Sequence, residues 1–140
     1  MIRKFEINEL ETILDIWLNT NIKTHDFIDT SYWQKNYDPV KKMLPDATIF
    51  VYEDHNQIRG FIGLMDNYIA GLFINTDSQS KGIGKALLNY AKEINSELFL
   101  QVYKKNVRAV SFYLSENFVV SKEQIDANTD EVELVMSWVR

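Results

Sequence analysis

Apolar and polar positions along the chain change period several times, and each change marks an element. Ile2, Phe5 and Ile7 alternate with polar residues, which predicts a first strand over 1–7. Leu10, Ile13, Leu14, Trp17 and Leu18 then recur at helical spacing, with Asn8 placed to cap and Glu9 and Glu11 in the first turn, predicting a helix to about residue 20. The pattern breaks over 21–30, and 31–44 reads as a weaker helix or pair of turns, interrupted at Pro39 and stopped before Pro45. Three extended runs follow as a meander, at 47–52, 58–65 and 68–74. Ile83, Ala86, Leu87, Tyr90, Ala91 and Ile94 form a clean amphipathic stripe and predict a helix over 82–94. Residues 97–103 read as a buried strand, and Asn106 caps a helix through Ser115, after which Asn117 suits a left-handed turn. Extended structure resumes at 118–121, and Val132, Leu134, Met136 and Trp138 line one side of a last, half-buried strand over 131–140.

The resulting order, β-α-α-β-β-β-α-β-α-β-β, predicts a mixed α/β (α+β) sheet with helices on its faces. At 140 residues, without repeats, linkers or low-complexity tracts, the chain is expected to form one domain spanning 1–140. There is no Cys, so disulfides, thiolate metal sites and a Cys nucleophile are all excluded. His25 and His55 have no metal-ligand spacing, and no metal site is expected. With a charged start and no long apolar run, a soluble cytoplasmic protein is expected.

Net charge is -5, which does not encourage binding to nucleic acid or a membrane surface. Charge is unevenly spread, however. Lys81, Lys85, Lys92, Lys104, Lys105 and Arg108 outnumber Glu93 and Glu97 in the stretch 81–108, whereas 1–66 is mainly acidic. One part of the chain thus favours an anion and another a cation.

The chemistry begins at the turn between the third meander strand and the amphipathic helix. Gly82-Ile83-Gly84 stands where the helix starts, and a helix N-terminus offers unpaired N–H groups and partial positive charge to a phosphate. Dinucleotide and P-loop patterns both fail: Leu87 replaces the third glycine of the first, and Ala86 the Ser or Thr of the second. On these residues alone, two glycines serve tight packing as readily as phosphate binding.

Two blocks together resemble the GNAT superfamily of N-acetyltransferases. Gln79-Ser80-Lys81-Gly82-Ile83-Gly84 matches the Q/R-x-x-G-x-G/A loop of that family. Asn106, Ala109, Phe112-Tyr113 and Asn117-Phe118 are similar to its N-x-x-A-x-x-x-Y-x-x-x-G-F block, with Asn117 replacing Gly. The element order agrees over essentially the whole length. The resemblance implies a mostly antiparallel, twisted sheet flanked by helices, and acetyl coenzyme A as cosubstrate. The backbone of Ser80 to Lys85 would hold its pyrophosphate, and Leu72, Phe73 and Ile74 would pair with the pantetheine amides. Asn106 would contact the same arm.

Acetyl transfer to an amine needs a neutral amine, an oxyanion donor and a proton for the departing thiolate. The resemblance implies Tyr113 as that acid, with the backbone N–H near Ile74 polarising the thioester carbonyl. Carboxylate bases found in relatives are absent here, because Gln101 and the stretch 68–71, with Ala70, stand in their places. His25 is the remaining candidate base, with a water chain as the alternative. The resemblance places the acceptor against Asp26, Phe27, Tyr32, Trp33 and Tyr68, aromatic walls with a carboxylate that suit a cationic amine. Trp17 lies on the core stripe. The expected reaction is direct transfer to a primary amine of a small molecule or peptide, by a monomer or homodimer. The alternative is a non-catalytic acyl-coenzyme A binding module or sensor. Protein N-termini remain open as acceptors, and charged tRNA is disfavoured by the acidic balance.

Overall fold

The computed structural model describes residues 1–140. Its elements are β1 (Ile2–Lys4), α1 (Leu10–Thr24), α2 (Thr30–Met43), β2 (Thr48–Asp54), β3 (Gln57–Met65) and β4 (Tyr68–Ile74). They continue with α3 (Ile83–Ile94), β5 (Glu97–Tyr103), α4 (Val107–Ser115), β6 (Val119–Asp126) and β7 (Glu131–Val139). The order is the one expected from the sequence, with three short 3-10 turns added at 7–9, 44–46 and 76–78.

One seven-stranded sheet runs β1-β2-β3-β4-β5-β7-β6. Every pairing is antiparallel except β4 with β5. Alternate residues of β2 and β3 feed two cores on opposite faces, as a period of two requires. Ile49, Val51 and Phe61 pack with Ile13, Leu14, Trp17 and Trp33 of α1 and α2. Phe50, Ile62 and Leu64 pack with Leu87, Leu88 and Ala91 of α3 and with Tyr113 of α4. No helix is long and apolar enough to cross a membrane.

Several expectations need correction. Helix α1 runs four residues beyond residue 20, to Thr24, because Asn21 sits one turn after Trp17 and is itself buried on the same stripe. Asn8 does not cap it. The N-cap position belongs to Glu9, whose carboxylate accepts the Glu6 N–H at 2.9 Å and the Arg3 guanidinium at 2.6 Å. Helix α2 continues through Pro39 without interruption. Its capping comes from Asp29, which accepts the Ser31 N–H at 2.9 Å. Strand β6 extends to Asp126, well past residue 121, because β7 pairs with its whole length, Asp126 opposite Glu131.

Candidate active site

The site starts from a break in the sheet. Strands β4 and β5 pair only at Tyr68 with Phe99 and Ile69 with Leu100. On the other side of β4, Gly63 faces Gly71 and Leu64 faces Ile69, so Ala70 is an extra residue, a bulge that adds local twist. Beyond it β4 stays with β3 as far as Ile74 and leaves β5. The backbone edge from Gly71 to Ile74 therefore faces an opening rather than a strand.

That opening belongs to a cleft of about 1000 Å³. Its walls are the C-terminal end of α1, the edge of β4, the loop before α3 and the first turns of α3 and α4. The cationic side chains lining it are Lys23, Lys85, Lys105 and Arg108, and no Asp or Glu lines it. Its field suits an anion.

The loop is shaped by two left-handed residues, Ser80 (φ 65°) and Gly82 (φ 80°). Gly82 tolerates this for want of a Cβ; Ser80 is held there, with Arg108 Nη2 donating to its hydroxyl at 2.6 Å. Gln79 Nε2 donates to the Ile74 carbonyl at 3.2 Å and closes the loop. No backbone N–H from Ser80 to Lys85 donates to a backbone acceptor; the first that does is Ala86, to the Gly82 carbonyl at 3.0 Å. No side chain caps them either. A run of unpaired N–H groups at the positive end of a helix is a cradle for phosphate oxygens.

Helix α4 brings Asn106 and Tyr113. Asn106 Oδ1 accepts the Ala109 N–H at 3.2 Å as N-cap. Tyr113 is buried, and desolvation pushes its phenol well above the ordinary value, with no charge or hydrogen bond contributing. The only side-chain polar atom sealed from solvent without a partner is Trp33 Nε1. The Tyr113 hydroxyl therefore keeps access to the cleft that its residue lines.

His25 also lines the cleft. Its ring stacks on Trp33 at 5.4 Å and meets Phe27 and Tyr103 edge-on at 5.6 and 5.2 Å. Burial lowers its pKa to about 4, against the opposing pull of Asp26. The ring is neutral at physiological pH. Nδ1 lies 3.0 Å from Asn21 Oδ1 and Nε2 lies 3.2 Å from Asn106 Nδ2.

The cleft thus gathers Leu72, Phe73, Ile74, Gln79, Ser80, Gly82, Ile83, Gly84, Lys85, Asn106, Tyr113 and His25. Lys81 is not among its lining residues and is exposed. Asp26, Phe27, Tyr32, Trp33 and Tyr68 do not line it either. Trp33 is a core residue and Asp26 is exposed. Phe27 and Trp33 pack directly on the His25 ring, Phe27 also meets Tyr103 edge-on, and Tyr32 reaches the group through Trp33. On the sheet face of Tyr103, Tyr68 donates to Gln101 Oε1 at 3.3 Å and Tyr103 to Asp126 Oδ2 at 2.7 Å. Burial, and then the charge of Glu133, raise the Tyr68 phenol; the Tyr32 phenol is raised by burial, then by Asp126, with Glu133 adding to it.

Sequence reading missed Asn21, Tyr103, Asp126 and Glu133, and named Arg108 only as one cation of a basic stretch. Asn21 carried a signal, a polar residue in register with an apolar stripe. Glu133 carried a weaker one, opposite in parity to Leu134 and Met136. Asp126 carried none, since its partner lies 23 residues away in sequence, and the basic stretch 81–108 included Arg108 without pointing to its Ser80 partner 28 residues away.

The family described as acetyltransferase (GNAT) domain matches residues 22–132. The chain is 34% identical to the peptidyl-lysine N-acetyltransferase YiaC of Escherichia coli K12, over 99% of this chain and 96% of that protein. The solution structure of apo-form YjaB from Escherichia coli superposes with a TM-score of 0.88 at 30% identity, covering 99% of this chain and 97% of that one. A Bacillus anthracis acetyltransferase solved in complex with acetyl coenzyme A aligns with a TM-score of 0.62 at 26% identity, covering 67% of this chain and 63% of that one.

Proposed function

We propose that this chain, which belongs to the acetyltransferase (GNAT) family and so takes its acetyl group from acetyl coenzyme A, delivers it to the side-chain amine of a peptide lysine. The supporting observation is the run of unpaired N–H groups from Ser80 to Lys85 at the mouth of a cleft lined by cations and no carboxylate. Those groups, with Lys85 and Arg108, fit the pyrophosphate. The free β4 edge from Gly71 to Ile74 fits the amides of the pantetheine arm as an added strand.

Bound there, acetyl coenzyme A supplies an acetyl group activated as a thioester. The chain's own part is to hold, orient and protonate. The unpaired N–H groups of the β4 edge orient the acyl carbonyl and stabilise charge on its oxygen. Tyr113 holds a proton at Oη and donates it to the departing sulfur as the C–S bond breaks and the C–N bond forms, while the protons lost by the lysine amine pass to solvent water. The lysine approaches from the opposite face of the splayed strands, where Tyr32, Tyr68, Tyr103 and the charges of Asp126 and Glu133 favour an ammonium group over an anion. YiaC and YjaB of Escherichia coli, both described as peptidyl-lysine N-acetyltransferases, support a peptide lysine as acceptor.

Free thiol release from acetyl coenzyme A tests this. A peptide with one lysine and a blocked N-terminus should accelerate release, and the same peptide with that lysine acetylated should not. Lysine-independent release would refute the acceptor. A non-catalytic acyl-coenzyme A sensor is the second reading, favoured by the lack of any carboxylate base in the cleft; it predicts binding without amine-dependent release.

A further inference from the structure

The two hydrogen bonds of His25 have directions set by the backbone around them. Asn21, 2% exposed, donates from Nδ2 to the Trp17 carbonyl at 2.9 Å, which leaves its Oδ1 for His25 Nδ1. Asn106 uses Oδ1 to accept the Ala109 N–H, which leaves Nδ2 for His25 Nε2. An amide oxygen only accepts and an amide nitrogen only donates. The proton of the neutral ring is therefore on Nδ1, donated to Asn21, and the Nε2 lone pair accepts from Asn106. Both nitrogens are committed. Trp33, Phe27 and Tyr103 hold the ring plane.

We propose that His25 is a positioning residue rather than the base: it holds the Asn106 amide in the cleft wall, tying the end of α1 to the N-cap of α4. The second Nδ2 hydrogen of Asn106 stays available to the pantetheine arm. A proton delivered to Nε2 would set a donor against the Asn106 Nδ2 donor and release it. This rests on the cleft being the coenzyme A site.

Two substitutions separate the roles, because neither new side chain takes up a proton. In His25→Gln the amide oxygen reaches about as far as Nε2 and keeps an acceptor for Asn106. In His25→Asn the amide ends at the position of Nδ1 and serves Asn21 alone. Binding of coenzyme A by calorimetry, kcat and KM with a single-lysine peptide, and thermal unfolding are measured for both. The Gln variant is expected within about twofold of the wild type in Kd and kcat. The Asn variant should raise Kd and the KM for acetyl coenzyme A about fivefold, the size of one net hydrogen bond, with kcat within about twofold. A loss of about 100-fold or more in kcat by both variants at unchanged Kd would make His25 the base and overturn the proposal. Equal weakening of binding by both would overturn it too, by assigning the effect to ring packing. No binding of coenzyme A by the wild type would overturn the reading of the cleft itself, and the proposal with it. Long-range 1H–15N spectra of the wild type at pH 7 need no variant. A protonated Nδ1 and bare Nε2 are expected, and the opposite tautomer refutes the relay.

Discussion

Replacing Tyr113 by Phe should make the protein more stable and less active at once. The hydroxyl is carried into a buried position where burial alone shifts its pKa, so the fold pays for desolvating it without receiving a hydrogen bond. An unpaired buried hydroxyl costs about 1–3 kcal/mol, and because this one retains access to the cleft the lower end applies, about 1 kcal/mol. For a chain of this length Tyr113→Phe should raise Tm by about 2–5 °C. Catalysis should move the other way. Thiols are far stronger acids than alcohols, the cysteine side chain lying near pKa ~8.5, so a thiolate leaves readily and an acid assists it only at the low end of the usual range, about 100-fold. The raised phenol is a weaker acid than the thiol, but apolar surroundings disfavour a bare thiolate as well, which narrows the gap. The expected result is kcat lower by about 100-fold, equivalent to about 2.7 kcal/mol in the barrier, with the Kd for coenzyme A nearly unchanged. Thiol release under saturating peptide and differential scanning calorimetry are the two assays. Unchanged kcat across pH 6–9 would remove Tyr113 from the proton path, and a Tm lowered by several degrees would show that the hydroxyl has a partner in the fold.

The buried neutral His25 should make stability depend on pH. Its pKa falls from 6.5 to about 4 on folding, so between those values the unfolded chain holds a proton that the folded chain lacks. Stability is then lost as pH falls through this window, by about 1–2 kcal/mol after allowance for partial exposure. Urea midpoints of wild type and His25→Gln at pH 7 and pH 4.5 check it; a parallel loss in both refutes it. At the phosphate loop, a Cβ on Gly82 would meet nothing within 4 Å, yet its φ of +80° disfavours one. Gly82→Ala should cost about 1 kcal/mol in urea unfolding and weaken coenzyme A binding in calorimetry, where the new methyl enters the cradle. A Cβ on Gly84 would lie 3.6 Å from Phe112 Cζ, an ordinary contact. Gly84→Ala should therefore stabilise helix α3 by about 0.5–1 kcal/mol, and a lower urea midpoint would contradict the packing described.

The sequence by itself determined the elements, their order and the loop chemistry, because all three are local. The period of Ile83, Leu87, Tyr90 and Ala91 could only be buried as a helix face. Asn106 and Asn117 bracket α4 through contacts within a few residues. The length of α1 was not read from the pattern, which placed its end near residue 20; the helix runs to Thr24, with Asn21 buried on the apolar stripe. What tertiary structure decided was everything that depends on distant partners. The opening between β4 and β5 follows from one extra residue at Ala70 measured against β3, and no local pattern records a register. Trp33 carries the composition of a binding wall, yet it is core because α2 lies across the sheet on α1. His25 shows the difference most clearly. As a residue type it titrates near neutral pH and suits a base, but Asn21 and Asn106, four and 81 positions away, occupy both of its nitrogens. A side chain's chemistry is written in its identity, whereas its lone pairs are assigned by whatever the fold brings alongside.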